Sequence, residues 1–181
     1  MNKKIGIAIA SLTFSAPALA DIELGGHTGY TIMTLSEDDT SFSGASFGFR
    51  AGMGIGLGLT PEINVTQYSG SKSDGDESLS LSQLQTGLGA RFYIGDFFLR
   101  PFASGHLVYA TPASQSLSNG DSETSGLDIA GSGGLGVDFG AGLQLKFLDL
   151  IYGELQGTYA RTLSDLPLNT LYIAVGLGVK I

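Results

Sequence analysis

The run Leu-Tyr-Ile-Ala-Val-Gly-Leu-Gly-Val-Lys-Ile, residues 171–181, ends the chain with an unbroken period of two. Leu171, Ile173, Val175, Leu177, Val179 and Ile181 share one face of a strand, and Tyr172, Ala174, Gly176, Gly178 and Lys180 share the other. In a water-soluble sheet the aliphatic row would face the core and the second row would carry Ser, Thr, Lys or Glu. Here the second row is small. Aliphatic residues facing lipid and small or polar residues facing a narrow lumen are the pattern of a membrane β-barrel. A last strand lying in hydrocarbon must also pair with the first, because an open edge would leave its N–H and C=O groups without partners. Residues 171–181 are therefore expected to close the barrel.

The same alternation recurs upstream. Residues 22–34 place Ile22, Leu24, Gly26, Thr28, Tyr30 and Ile32 on one face. Residues 45–58 put Ala45, Phe47, Phe49, Ala51, Met53, Ile55 and Leu57 outward and Arg50 with a row of small residues inward. After a turn at Thr60-Pro61-Glu62, a third strand is expected over 63–68 and, beyond a polar loop at 70–78, a fourth ending at Ile94. A fifth covers 99–109, where Pro101 predicts a bulge or a missing hydrogen bond. The longest loop is expected over 111–126, a sixth strand over 127–145, and a seventh after a turn at Phe147-Leu148-Asp149. With the closing strand this gives an all-β, eight-stranded antiparallel up-and-down transmembrane barrel, in which long polar loops alternate with tight turns.

Composition is consistent with that architecture. The chain has 181 residues, 28 Gly, no Cys and no Trp. Its length suits one domain, and the lack of Cys rules out a disulfide framework or a thiolate metal site. Lys3 and Lys4, an apolar run over 5–14 and Ala18-Leu19-Ala20 read as a signal peptide over 1–20, leaving a barrel domain over 21–181 outside the cytoplasm. Without the two leader lysines, 7 basic residues face 17 acidic ones, a net charge of −10 that argues against a nucleic-acid partner. No later stretch supplies the roughly 20 consecutive apolar residues of a membrane helix.

On these strands and loops the chain resembles the small eight-stranded outer-membrane barrels of the OmpA transmembrane-domain and OmpX type. The resemblance lies in pattern and covers the mature chain. It implies a cell outer-membrane location, both ends of the domain on the periplasmic side, contact with outer-membrane lipid and lipopolysaccharide, and a monomer. It departs at the last residue, Ile181, where such barrels usually carry an aromatic. No periplasmic domain is expected after Ile181, so anchoring to peptidoglycan in the OmpA manner is not expected either.

An eight-stranded barrel is just wide enough for side chains to fill it, so inward charge should form a packed core. Glu23, Asp128, Asp138 and Glu154 face inward against Arg50, Arg91, Arg100, Lys146 and Lys180. Unpaired buried charge is costly, which predicts an ion-pair network rather than a conduction path. Counting residues from the turns puts Arg91 level with Glu154 and Arg50 level with Asp138. The inward glycines either make room for these long side chains or leave a narrow water-filled lumen.

Ser104 and His106 lie two apart on one inward face and, joined by Asp138 or Glu154, could compose a hydrolase site. Some barrels of this size are lipid A-modifying enzymes, but their Ser and His lie near the lipid-facing surface, and here both are expected inside. No catalytic site, cofactor or metal is therefore expected, and His27 is read as a hydrogen-bonding residue of the lumen. The loops carry Glu37, Asp38, Asp39, Asp74, Asp76, Glu77, Asp121, Glu123 and Asp165 against Lys72. They are either solvated ends or sites where divalent cations bridge to phosphorylated lipid, and an extracellular ligand would meet them first. Outward Tyr30, Phe47, Tyr109 and Tyr159 suit an interfacial girdle. The function expected is a structural or surface-interaction role through acidic extracellular loops; a lipid A-modifying enzyme and a narrow pore are the alternatives.

Overall fold

The computed structural model describes residues 21–36, 39–74, 77–95, 97–119, 122–127, 133–148, 150–163 and 167–181. The expected signal peptide lies outside the described residues, as does Asp128. Eight antiparallel strands close a barrel: β1 (Ile22–Leu35), β2 (Thr40–Met53), β3 (Leu59–Asp74), β4 (Glu77–Tyr93), β5 (Leu99–Ala110), β8 (Gly134–Leu148), β9 (Ile151–Thr162) and β10 (Leu168–Lys180). A hairpin of β6 (Ser114–Asn119) and β7 (Ser122–Leu127) extends the sheet beside the upper end of β4.

Closure is made by β10, which pairs with β1 from Glu23↔Lys180 to Leu35↔Leu168. Leu171, Ile173, Val175, Leu177 and Val179 are exposed on the outer face, while Tyr172 and Ala174 are buried in the lumen. The small inward positions of this strand have a steric cause: a Cβ at Gly176 would meet Glu154 Cγ at 2.9 Å, and one at Gly178 would run into the Tyr152 phenol. Glycine here makes room for large side chains arriving from β9.

Several expected boundaries move. β2 stops at Met53, and the turn falls at residues 54–58, where Gly56, Leu57 and Gly58 take φ of 90°, 54° and 77°. Thr60-Pro61-Glu62 is therefore strand rather than turn, and β3 runs 16 residues. Pro61 is tolerated near the start of β3 because it lies beyond the last β2 pair, Gly52↔Glu62. The polar stretch 70–78 is not an open loop, since β3 and β4 pair out to Asp74↔Glu77. Part of the expected loop 111–126 is the β6–β7 hairpin, and the sixth barrel strand begins at Gly134 rather than at residue 127.

Pro101 causes no bulge. The register passes through Arg100↔Gln144, Pro101↔Leu143 and Phe102↔Gly142 without a shift. Its carbonyl accepts from Ile94 N at 2.8 Å, so the donor it lacks would face the same neighbour, beyond the end of β4 at Tyr93.

Two kinds of core fill the barrel. At the end bearing the tight turns and the paired Ile22 and Ile181, the interior is charged. At the other end Met33, Phe42, Tyr68, Leu81, Ala113, Leu168, Tyr172 and Ala174 form one apolar cluster, with Leu35 and Leu79 packed against it.

Candidate functional site in the lumen

Arg50 is the centre of the charged half. It lies three residues before the end of β2, level with Gly25 on β1 and Asn64 on β3. Its Nη1 lies 3.3 Å from Glu23 Oε2 and 3.2 Å from Glu62 Oε2, and its Nη2 lies 3.0 Å from Glu154 Oε2. Nη2 also donates to Tyr152 Oη at 2.9 Å, and the guanidinium carbon lies 5.2 Å from the Tyr152 ring centroid. One guanidinium thus ties together β1, β2, β3 and β9. Its five donors in a planar fork suit this work better than the single ammonium of a lysine.

Arg91, on β4, shares two of those carboxylates. Nη1 donates to Glu154 Oε2 at 2.8 Å and Nε to Glu62 Oε1 at 3.3 Å, with the plane stacked 4.1 Å over Phe102. His106, on β5, lies between two acids, with Nδ1 2.6 Å from Asp138 Oδ1 and Nε2 2.9 Å from Glu62 Oε1. Both ring nitrogens thus lie within hydrogen-bond distance of a carboxylate oxygen. Tyr93 donates to Glu23 Oε2 at 2.8 Å and accepts from Gln144 Nε2 at 3.1 Å. Arg100 donates to Gln144 Oε1 at 3.2 Å and stacks 4.1 Å over the Tyr93 ring. Four carboxylates thus stand with Arg50, Arg91, Arg100 and His106 in one buried set.

The structure brings Glu23, Arg50, Arg91 and Glu154 into direct contact, as the sequence predicts for Arg91 and Glu154. It does not bring Arg50 to Asp138. That expectation measured Arg50 from a turn at 60–62; with the turn at 54–58, Arg50 sits lower in the barrel, among Glu23, Glu62 and Glu154. Asp138 pairs with His106 instead. Lys180 stands apart at the rim, its Nζ 2.6 Å from Asp21 Oδ2.

Glu62 is the member of this charged cluster that sequence reading misses. It is 3% exposed and touches Arg50, Arg91 and His106. The signal for it was present, because Glu62, Asn64, Thr66 and Tyr68 share a period-two face behind Pro61, Ile63 and Val65. His27 contacts Thr66 Oγ1 at 3.3 Å through Nε2 and stacks on Tyr172 at 6.0 Å between centroids.

A void of only about 10 Å³ lies between these groups, walled by Arg50, Glu62, Arg91, Ser104, His106 and Asp138. That is about the room one water requires. Ser104 borders the void, but both nitrogens of His106 are held by acids, so the ring has no free base position to turn toward the hydroxyl. Among the described residues no group of three or more His, Cys, Asp or Glu has the geometry to hold a metal ion.

A closed eight-stranded antiparallel barrel with an aliphatic exterior and a charged interior defines a class, the small outer-membrane barrels. Residues 6–180 match the family model described as the outer membrane protein beta-barrel domain, and the chain belongs to that family. It is an outer-membrane protein. Its fold is similar to that of the Neisserial surface protein A, with a TM-score of 0.67 at 15% identity over 88% of this chain and 97% of that one. The N-terminal β-barrel domain of Pseudomonas aeruginosa OprF has a TM-score of 0.56 at 15% identity, covering 90% and 98%. Ail, the attachment invasion locus protein of Yersinia pestis, solved with the heparin analogue sucrose octasulfate, has a TM-score of 0.55 at 13% identity, covering 88% and 99%. These likenesses establish a common fold. A sequence comparison with curated proteins finds no match.

Proposed function

We propose that the protein is a plugged, non-conducting barrel that supports the outer membrane and makes surface contacts through its acidic loop end, as a monomer without catalytic activity. The observation that carries this reading is the engagement of Arg50 with Glu23, Glu62 and Glu154, beside which lies a void of about 10 Å³ lined by Arg50, Glu62 and Arg91. A hydrated ion needs far more room than one water. A pore would have to break several charge-assisted hydrogen bonds inside a low-dielectric space. Against the lipid-modifying alternative stands the double engagement of His106, together with the placement of Ser104 inside the lumen rather than at the lipid-facing surface.

For the loop end, charge sets the class of partner. The loops and strand ends on that side carry nine acidic residues against Lys72 and Arg161, so a polyanion such as the heparin analogue in the Ail structure would be repelled, and divalent cations or basic surfaces would be attracted. The test is planar-bilayer recording of the refolded protein. Wild type should show no stepwise current, and the double variant Arg50→Ala, Arg91→Ala, if it folds, should show some. Regular currents through the wild type would replace this reading with the pore.

A further inference from the structure

His27 is a buried group that the ion network does not use. Among the described residues, His27 Nδ1, Ser46 Oγ and Thr170 Oγ1 are buried side-chain atoms with no hydrogen-bond partner in the protein. A hydroxyl can turn its proton and lone pairs toward a nearby carbonyl, but a ring nitrogen points where the ring points. The His27 ring, 7% exposed, is held in place. It stacks on Tyr172 with 13° between the planes, Nε2 contacts Thr66 Oγ1, and a Cβ at Gly48 would lie 2.7 Å from its Cε1 and Nε2. Of the three, His27 alone borders the void of about 10 Å³ described above. A buried polar atom left unmet is costly, so the orphan nitrogen and the void call for one explanation.

The other wall of the void supplies further partners. Ser104 of β5 and Thr158 of β9 are both register partners of Gly140 on β8. A Cβ at Gly140 would lie 2.8 Å from Ser104 Oγ and 2.7 Å from Thr158 Oγ1, so the two hydroxyls converge over the glycine, and both residues line the void. Size and charge then select the occupant. The volume is about that of one water. A cation there would face Arg50 and Arg91, and an anion would face Glu62 and Asp138, so an ion of either sign meets its like in the same wall. An imidazole and two hydroxyls together ask for a neutral molecule that both donates and accepts.

We propose that this void is a binding site for a single water molecule, held by His27 Nδ1 from β1 and by the Ser104 and Thr158 hydroxyls from β5 and β9. The water fastens strands from across the barrel at the level where the charged half meets Tyr172 of the apolar cluster. It also gives Ser104 a role that needs no catalysis. With Arg50 and Arg91 on the charged side of the void and Tyr172 on the apolar side, the water leaves only when one of these side chains moves, and its residence is long. The site rests on the plugged lumen proposed above.

The test is a crystal structure of the full refolded protein at a resolution that shows waters, with nuclear magnetic resonance in nanodiscs to time the exchange. Wild type should show one water within hydrogen-bond distance of His27 Nδ1 and of at least one of the two hydroxyls, and magnetisation transfer from a long-lived water to these side chains. His27→Phe keeps the stack on Tyr172 and removes the nitrogen, and Ser104→Val fills the space with a methyl group; each should abolish that transfer. Thr170→Val removes an orphan hydroxyl that does not border the void and should leave the water in place. In urea, His27→Phe and Ser104→Ala should each raise the unfolding rate several-fold, and the double variant should raise it no more than the larger single effect, because both break one bridge. Heat-modifiability gels check folding, and the wild-type structure decides the matter where a variant does not fold. An empty void, an ion in it, His27 Nδ1 bonded to a protein group, or additive effects of the two replacements overturn the proposal. A dry void in a non-conducting barrel overturns this site alone, whereas a continuous file of waters through the lumen overturns the plug as well.

Discussion

The two ends of this barrel are built from the same strands with opposite facing. In the membrane band β4 sends Leu84, Leu88 and Phe92 outward and Gln83, Gln85, Arg91 and Tyr93 inward. A few residues earlier on the same strand Ser80 and Ser82 face out, and Leu79 and Leu81 face in. On β2, outward Phe49 and Phe47 give way to Ser43, while inward Arg50 gives way to Phe42. Nothing about strand geometry changes at the crossover; the solvent does. Where lipid surrounds the barrel, charge can be hidden only in the lumen, and where water surrounds it, the ordinary rule of apolar inside and polar outside returns. The outward Tyr30, Phe47 and Tyr109 mark this boundary, each more than half exposed.

If the two interiors work on different principles, removing one residue from each should fail in different ways. The largest effect is expected at Arg50. Arg50→Met preserves bulk but leaves Glu23, Glu62 and Glu154 without their shared partner, and a broken buried ion pair costs about 3–5 kcal/mol. A urea titration of folding in vesicles should show that loss. Its partial reversal by adding Glu62→Gln would attribute the loss to uncompensated charge rather than to packing. In the apolar end Leu81→Ala should cost about 2–5 kcal/mol through lost burial and a residual cavity. That loss should be insensitive to salt and should not be reversed by any charge change. Equal rescue at both ends would mean that the interiors do not differ.

How much of this could be read from the sequence also follows the boundary. The closing strand was legible because residues 171–181 cross the membrane band with strict alternation, and lipid tolerates no exceptions there. The Arg91–Glu154 contact was legible because both residues lie on strands whose turns were placed well enough to compare heights. The extension of β3 and β4 to Asp74↔Glu77 was not, because Gly-Ser-Lys-Ser-Asp-Gly-Asp-Glu-Ser over 70–78 holds no aliphatic residue, and a search for outward aliphatics reads it as loop. Glu62 was lost to Pro61, which signals a turn locally but is harmless where β2 no longer pairs. That one shift of boundary also displaced Arg50 and produced the expected pair with Asp138.

On the outer face the contrast predicts opposite tolerances. Val175 lies mid-strand on β10, 59% exposed, within the aliphatic row. Val175→Arg should destabilise by about 2–4 kcal/mol, the range for an outward Arg near the bilayer midplane. A refolding titration in vesicles gives the value, and repeating it in lipids with shorter chains should reduce the cost as the position moves toward an interface. A cost that ignores bilayer thickness would mean that Val175 packs on protein rather than on lipid.

The smallest effect is expected from the same replacement above the boundary. Ser80 faces outward between Ser71 of β3 and Ser116 of β6, in a surface that also includes Ser43, Ser69 and Ser82. Arginine there meets water, has hydroxyl neighbours and approaches loops rich in acidic residues. Ser80→Arg should therefore stay within about 0.5 kcal/mol of wild type, as surface substitutions away from packed features usually do. Because Ser80 and Val175 are both outward strand positions receiving the same side chain, the difference between their costs measures the change of solvent and little else. A cost at Ser80 approaching that at Val175 would put the serine face inside the hydrocarbon and move the boundary up the barrel. A stabilisation that disappears in high salt would instead show the guanidinium pairing with the loop carboxylates, since exposed pairs are screened over about 10 Å at 0.1 M salt.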